Sequence, residues 1–100
     1  MKSFYVYILR CNDGSYYVGH TDDLETRLAL HADGSLRGYT LQRRPVQLVF
    51  AREFETREDA LARERQIKGW SRAKKEALIR GDWPAVQRLS KRHGSSAGKR

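Results

Sequence analysis

One hundred residues suffice for one domain with a modest core and exclude a two-domain enzyme. A single cysteine, Cys11, excludes an internal disulfide, and no apolar run approaches membrane-spanning length, so the expected setting is reducing and cytoplasmic, with no membrane partner. The net charge of +8 is lopsided: residues 1–34 hold three Lys/Arg against five Asp/Glu, and residues 35–100 hold seventeen against seven. A basic surface of that size favours a polyanion, above all nucleic acid, through phosphate contacts and counterion release.

The N-terminus runs straight into a strand pattern, with no hydrophobic leader block. Two β-like runs, residues 4–10 and 15–20, flank Cys11-Asn12-Asp13-Gly14, the signature of a hairpin. A two-residue Asp13-Gly14 loop would put Tyr7 and Tyr17 on opposite faces. A three-residue loop, Asn12-Asp13-Gly14, with Gly14 left-handed in a G1 bulge, sets Cys11 opposite Ser15, Leu9 opposite Tyr17 and Tyr7 opposite Gly19. Tyr5, Tyr7, Tyr17 and Gly19 then share one face, and Val6, Ile8, Tyr16 and Val18 the other. The second register separates an aliphatic face from a phenol-bearing one and is preferred. In it, Gly19 leaves a gap beside the Tyr7 hydroxyl for a substrate.

A first helix opens at Asp22-Asp23-Leu24-Glu25, capped by Thr21 or Asp22, with its acids in the first turn where the macrodipole favours them. It runs to about Ala32, and Asp33-Gly34-Ser35 ends it. Leu24 and Leu28 mark its buried stripe, with Arg27 and His31 together along one edge. Residues 34–45 form a long basic connection, and Pro45 introduces a third strand over 46–54, where Val46, Leu48 and Phe50 alternate with Gln47 and Val49. A second helix follows Thr56 as N-cap. On it Glu64 falls on the apolar arc between Ala60 and Leu61, an expensive place for a carboxylate unless something pairs with it. Two readings stand for Glu64: a salt bridge to Arg27, Arg63 or Lys68, or a metal ligand.

Gly69 and Ser71 break and recap the chain ahead of a third, basic helix over 72–80, docked by Trp70 and Leu78. The predicted fold is α+β, a small three-stranded antiparallel sheet flanked by about three helices. One domain spans residues 1–82, a C-terminal extension with helical character spans 83–92, and a disordered basic tail spans 93–100. No zinc-ligand spacing or phosphate-binding glycine loop is present.

Tyr7 on one strand, Tyr17-Val18-Gly19 on the next, Arg27 and His31 on a helix, and Glu64 on a later helix together resemble the GIY-YIG nuclease family. The likeness covers about residues 4–80. It is strongest to the small single-domain bacterial members and more distant to the N-terminal nuclease domain of the excinuclease. Tyr5-Val6-Tyr7 stands where the family has Gly-Ile-Tyr, and Tyr17-Val18-Gly19 where it has Tyr-Ile-Gly. Arg27 matches the family arginine, His31 a histidine of several branches, and Glu64 the metal-binding glutamate. Residues 38–45 resemble a basic Lys-Tyr-Thr-Arg segment of the small members, with Gly38 and Leu41 replacing a lysine and an arginine, and Arg43 and Arg44 supplying compensating charge.

The resemblance implies a metal-dependent endonuclease hydrolysing phosphodiester bonds in DNA with one Mg2+ or Mn2+, directed by nucleic-acid structure and serving repair or recombination, with a repair protein as a further partner. Glu64 would hold the ion, a hard cation that takes oxygen ligands. Arg27 would grip the scissile phosphate with its fork of donors. Tyr7 would be the base or water-orienting group, with Tyr17 beside it and His31 assisting. Gly19, His20, Arg43, Arg44, Lys68 and Arg72 make up the expected substrate-binding set. The alternative from another class is a nucleic-acid-binding module with little or no turnover.

Overall fold

The hairpin register follows from its turn. In the computed structural model, which describes residues 2–98 with side chains through residue 90, Gly14 has φ 85°. The Cys11 amide donates to the Ser15 carbonyl at 2.8 Å and the Gly14 amide to the Cys11 carbonyl at 2.9 Å. This is the three-residue loop with a left-handed glycine. Strand β1 (Phe4–Arg10) therefore pairs with β2 (Tyr16–Thr21) with Tyr7 opposite Gly19 and Leu9 opposite Tyr17, as expected from the separation of aliphatic and phenolic faces.

A third antiparallel strand, β3 (Gln47–Phe54), pairs with the other side of β1, so the order is β2-β1-β3 and β1 is central. Its position explains why Val6, Tyr7, Ile8 and Leu9 are all at most 1% exposed, without alternation. The expected alternation along β3 does not hold. A bulge between the pairs Ile8–Phe50 and Leu9–Leu48 leaves Val49 as the extra residue, which turns Leu48 and Phe50 to opposite faces and leaves Leu48 exposed.

Helix α1 (Leu24–Asp33) is capped by Asp23, not by Thr21 or Asp22. Its carboxylate accepts from the Thr26 amide at 3.2 Å and the Thr26 hydroxyl at 2.8 Å. Thr21 is unsuitable because its hydroxyl already accepts from the Asp23 amide, and Asp22 because it faces Lys2 and Arg57. The buried residue of α1 is His31, while Leu24 and Leu28 are half-buried beside Tyr5. Helix α2 (Arg57–Lys68) begins as expected, with the Thr56 hydroxyl accepting from the Asp59 amide at 3.1 Å. It packs on all three strands and buries Ala60, Glu64 and Ile67.

The chain divides into two compact units, residues 1–68 and residues 69–100. The first holds the sheet with α1 and α2. The second holds α3 (Arg72–Arg80), capped by Ser71 and ended by the left-handed Gly81, and α4 (Trp83–Gly98). Among its described side chains, Ala77, Leu78, Ala85 and Val86 are buried. Helix α4 begins where the helical C-terminal extension was expected. It runs past residue 92 through His93 to Gly98; residues 99–100 of the expected disordered tail lie outside the described residues.

Candidate active site

Strand β1 carries Tyr7 inward, and α1 brings His31 down onto it. The Tyr7 hydroxyl lies 2.9 Å from His31 Nε2, and His31 Nδ1 lies 2.8 Å from the Thr40 hydroxyl. All three residues are at most 3% exposed. Tyr17 is half-buried and completes the cluster, its ring centre 6.2 Å from Tyr7 and 5.3 Å from His31. These aromatic contacts are tilted or edge-on, the arrangements favoured by the ring quadrupole.

Gly19 makes this packing possible. A Cβ there would stand 2.7 Å from the Tyr7 hydroxyl oxygen, 2.8 Å from Tyr7 Cζ and 3.0 Å from a Tyr17 ring carbon. The gap expected beside the Tyr7 hydroxyl is thus filled by Tyr7 itself, and Gly19 is a close-packing position, not an opening for substrate. Tyr5, on the same face, turns toward the first turn of α1 with Leu24 and Leu28 and does not crowd the cluster.

Arg27 lies one helical turn before His31, and its positive charge acts on the Tyr7 hydroxyl. Burial lifts the Tyr7 phenol far above its ordinary range. Tyr17 adds to the lift, Arg27 pulls part of it back, and the negative charge of Glu64 pushes up again. His31 is held below the ordinary imidazole range, by burial first and then by the charge of Arg27. The charges of Tyr17, Arg27 and Glu64, carried on β2, α1 and α2, thus all act on the Tyr7 phenol of β1, and that of Arg27 also acts on His31.

Glu64 is 7% exposed and doubly partnered. One carboxylate oxygen meets His20 Nδ1, and the other meets the Lys68 ammonium at 2.7 Å. Burial alone would raise this carboxyl, but the hydrogen bonds and charges of Lys68 and His20 together pull it below the ordinary range. Of the two readings, the structure holds the salt bridge, made to Lys68 and not to Arg27 or Arg63, and it keeps the acid ionised. Among the described residues no cluster of three or more His, Cys, Asp or Glu could hold a metal. An ion here would have Glu64 as its protein carboxylate and would draw its remaining ligands from water and phosphate. That donor set fits Mg2+ or Mn2+, which keep several waters and are commonly held by one or two carboxylates plus substrate phosphate.

The other expected substrate contacts are occupied within the protein. Arg43 pairs with Asp13 at 3.1 Å, donates to the Tyr39 carbonyl at 2.9 Å, and covers the Tyr39 ring at 3.9 Å. Arg44 donates to the Leu41 carbonyl at 3.0 Å and lies against Gly34. Arg72 belongs to the second unit, where it pairs with Glu76. The stack does reach the cluster: Tyr39 lies over Tyr17 with ring centres 6.2 Å apart. Thr40 was not anticipated as a site residue. Its signal was present in the sequence, as the threonine retained in the segment 38–45 whose lysine and first arginine are replaced.

Three comparisons bear on this arrangement. A family model described as the GIY-YIG catalytic domain matches residues 3–77. The UPF0213 protein SSP2268 of Staphylococcus saprophyticus is 48% identical over 79 residues, covering 79% of this chain and 96% of that protein. A UPF0213 protein of Staphylococcus aureus is 45% identical over 80 residues, 98% of its length. Among solved structures, the solution NMR structure of the UPF0213 protein BH0048 from Bacillus halodurans superposes with a TM-score of 0.53 at 41% identity, covering 88% of this chain and 97% of that one. The solution structure of protein EF2693 from E. faecalis does so with a TM-score of 0.58 at 40% identity, covering 81% and 86%.

Proposed function

The chain belongs to the GIY-YIG family of nucleases, and from that premise we propose that it is an endonuclease hydrolysing phosphodiester bonds in DNA with one bound Mg2+ or Mn2+. The proposal extends to cleavage directed by nucleic-acid structure, as in repair or recombination. One observation carries the reading: a tyrosine hydroxyl 2.9 Å from a histidine whose protonation is disfavoured, beside an arginine and within the field of a buried carboxylate.

A free phenol is only about one part in a thousand ionised at neutral pH, and the buried Tyr7 less still. An ionised phenol is not needed. Neutral His31 can accept the Tyr7 proton at Nε2 along an existing hydrogen bond. The Tyr7 oxygen, 0% exposed in the free chain, would take one from an attacking water only once substrate binding uncovers it. Arg27 would hold the scissile phosphate, and Tyr17, the more accessible phenol, would orient the water. His20 and Lys68 keep the Glu64 carboxylate ionised and aimed. A divalent ion held by Glu64 would stabilise charge developing on the phosphate and the leaving oxygen.

The test is cleavage of branched, flapped, nicked and single-stranded DNA with Mg2+ or Mn2+. Glu64→Ala and Arg27→Ala should each lower the rate by about a hundredfold or more; variants that cut as fast as the parent sink the proposal. A second reading, a nucleic-acid-binding module without turnover, draws support from the full burial of Tyr7 and the double pairing of Glu64. It predicts salt-sensitive binding that survives Glu64→Ala, with no cutting of any substrate.

A further inference from the structure

We infer that the α3–α4 unit, residues 69–100, is a grip for the phosphate backbone of duplex DNA, and that most of the chain's affinity for nucleic acid resides there. This deepens the nuclease proposal and rests on it for the choice of polyanion. The lopsided charge of the sequence falls along the boundary between the two compact units. Residues 1–68 hold eleven Lys/Arg against ten Asp/Glu, whereas residues 69–100 hold nine against two, so seven of the eight net positive charges belong to the smaller unit. All of α4 lies beyond residue 77, where the family match ends. Residues 83–100 hold five of those nine cations and no acid.

Pairing within each unit sharpens the contrast. The first unit spends cations on its own acids: Lys2 and Arg57 meet Asp22, Arg43 meets Asp13, and Lys68 meets Glu64. In the second unit Glu76 meets Arg72 at 3.1 Å and Asp82 meets Arg80 at 3.4 Å. The unit has no third acid to offset Lys74, Lys75 and Arg88. Repulsion among like charges is a cost to two helices whose buried side chains, among those described, are Ala77, Leu78, Ala85 and Val86. A polyanion relieves it. With those apolar groups turned inward, the unit presents charge to solvent: Arg72, Arg80 and Arg88 are all exposed. Arg72 and Arg80 stand about 12 Å apart along the α3 axis, against a duplex that carries one phosphate per about 1.7 Å of its length. Contacts to phosphate fix position and read no sequence, which suits cleavage directed by nucleic-acid structure.

The experiment uses the full chain in EDTA, so that nothing is cut, and a short labelled DNA duplex whose binding is followed by anisotropy over a series of salt concentrations. The parent's log Kobs should fall steeply with log salt. The variant K75Q/R80Q/R88Q should flatten that slope by about 2–3, at about 0.9 per phosphate contact, and weaken binding at least about tenfold at physiological salt. The matched variant R37Q/R52Q/R65Q removes three exposed arginines of the first unit and should keep the slope within about 1 of the parent's. Titrating the 15N-labelled parent with the same duplex should move the amides of residues 69–98 most, a measurement that stands even if the second-unit variant does not fold. A second-unit variant with the parent's slope, a first-unit variant that loses as much, or amide shifts confined to residues 1–68 overturns the inference. So does an RNA duplex of the same sequence bound more than about tenfold tighter than the DNA. A parent whose slope the second-unit variant flattens, but which cuts no DNA with Mg2+ or Mn2+, sinks the nuclease reading alone. A parent that cuts DNA while the second-unit variant binds as tightly as it does sinks this inference alone.

Discussion

Replacing Gly19 by alanine tests the packing at the centre of the site. Gly19 is not among the glycines with positive φ, so its backbone suits any residue and only space is at issue. The added Cβ would stand 2.7 Å and 2.8 Å from the end of the Tyr7 ring. That ring is 0% exposed and bonded to His31, so it cannot swing away without losing the bond. Overpacking of this kind costs about 1–3 kcal/mol, and a broken Tyr7–His31 hydrogen bond adds about 1 kcal/mol. The lower chain entropy of alanine in the unfolded state offsets about 0.5–1 kcal/mol. A net loss of about 2 kcal/mol follows, or a fall in Tm on the order of 10 °C for a domain of this size. Urea unfolding would measure it, best as a cycle with Tyr7→Ala, in whose background the cost of Gly19→Ala should nearly vanish. A cost under about 0.5 kcal/mol, or one equal in both backgrounds, would refute the close-packing account.

Removing the α1 cap by Asp23→Ala should destabilise by about 1 kcal/mol, whereas Asp22→Ala, which breaks only exposed pairs, should change the urea midpoint less. Stability should also fall with acid. His31 and Glu64 are both depressed in the folded chain, so each binds fewer protons there than when unfolded, and stability rises with pH across each window. The His31 contribution is complete above about pH 6.5 and is lost below it, and that of Glu64 goes below about pH 4.3. Urea midpoints measured against pH should slope in both ranges, with His31→Gln flattening the upper one. Lys68→Met frees one Glu64 oxygen and removes a competing cation, so Mn2+ affinity by calorimetry should rise about tenfold, while Glu64→Gln should abolish binding; weaker binding in Lys68→Met would contradict the competition.

Much of this was legible in the sequence because it depends on local chemistry. The Asn12-Asp13-Gly14 turn dictates the hairpin register, and the register places Tyr7 opposite Gly19 whatever surrounds them. Thr56 and Ser71 start their helices for reasons contained within one turn. The helical period alone exposes Glu64 as a carboxylate on an apolar face. Tertiary structure decided everything that depends on which surfaces meet. The bulge at Val49 belongs to the pairing of β3 with β1, so no periodicity within β3 reveals it. Asp22 was drawn from the cap by Lys2 and Arg57, both distant in the chain, whereas Thr21 was taken locally by the Asp23 amide. Whether Gly19 opens a gap or is covered depends on which way the Tyr7 ring on the neighbouring strand leans, and whether Glu64 is bare or held depends on His20, on a different element. Thr40 acquires its place only when a loop closes back over α1. Sequence pattern encodes the direction of each side chain from its own backbone, but contact between segments far apart in the chain is settled by packing, which has no local signature.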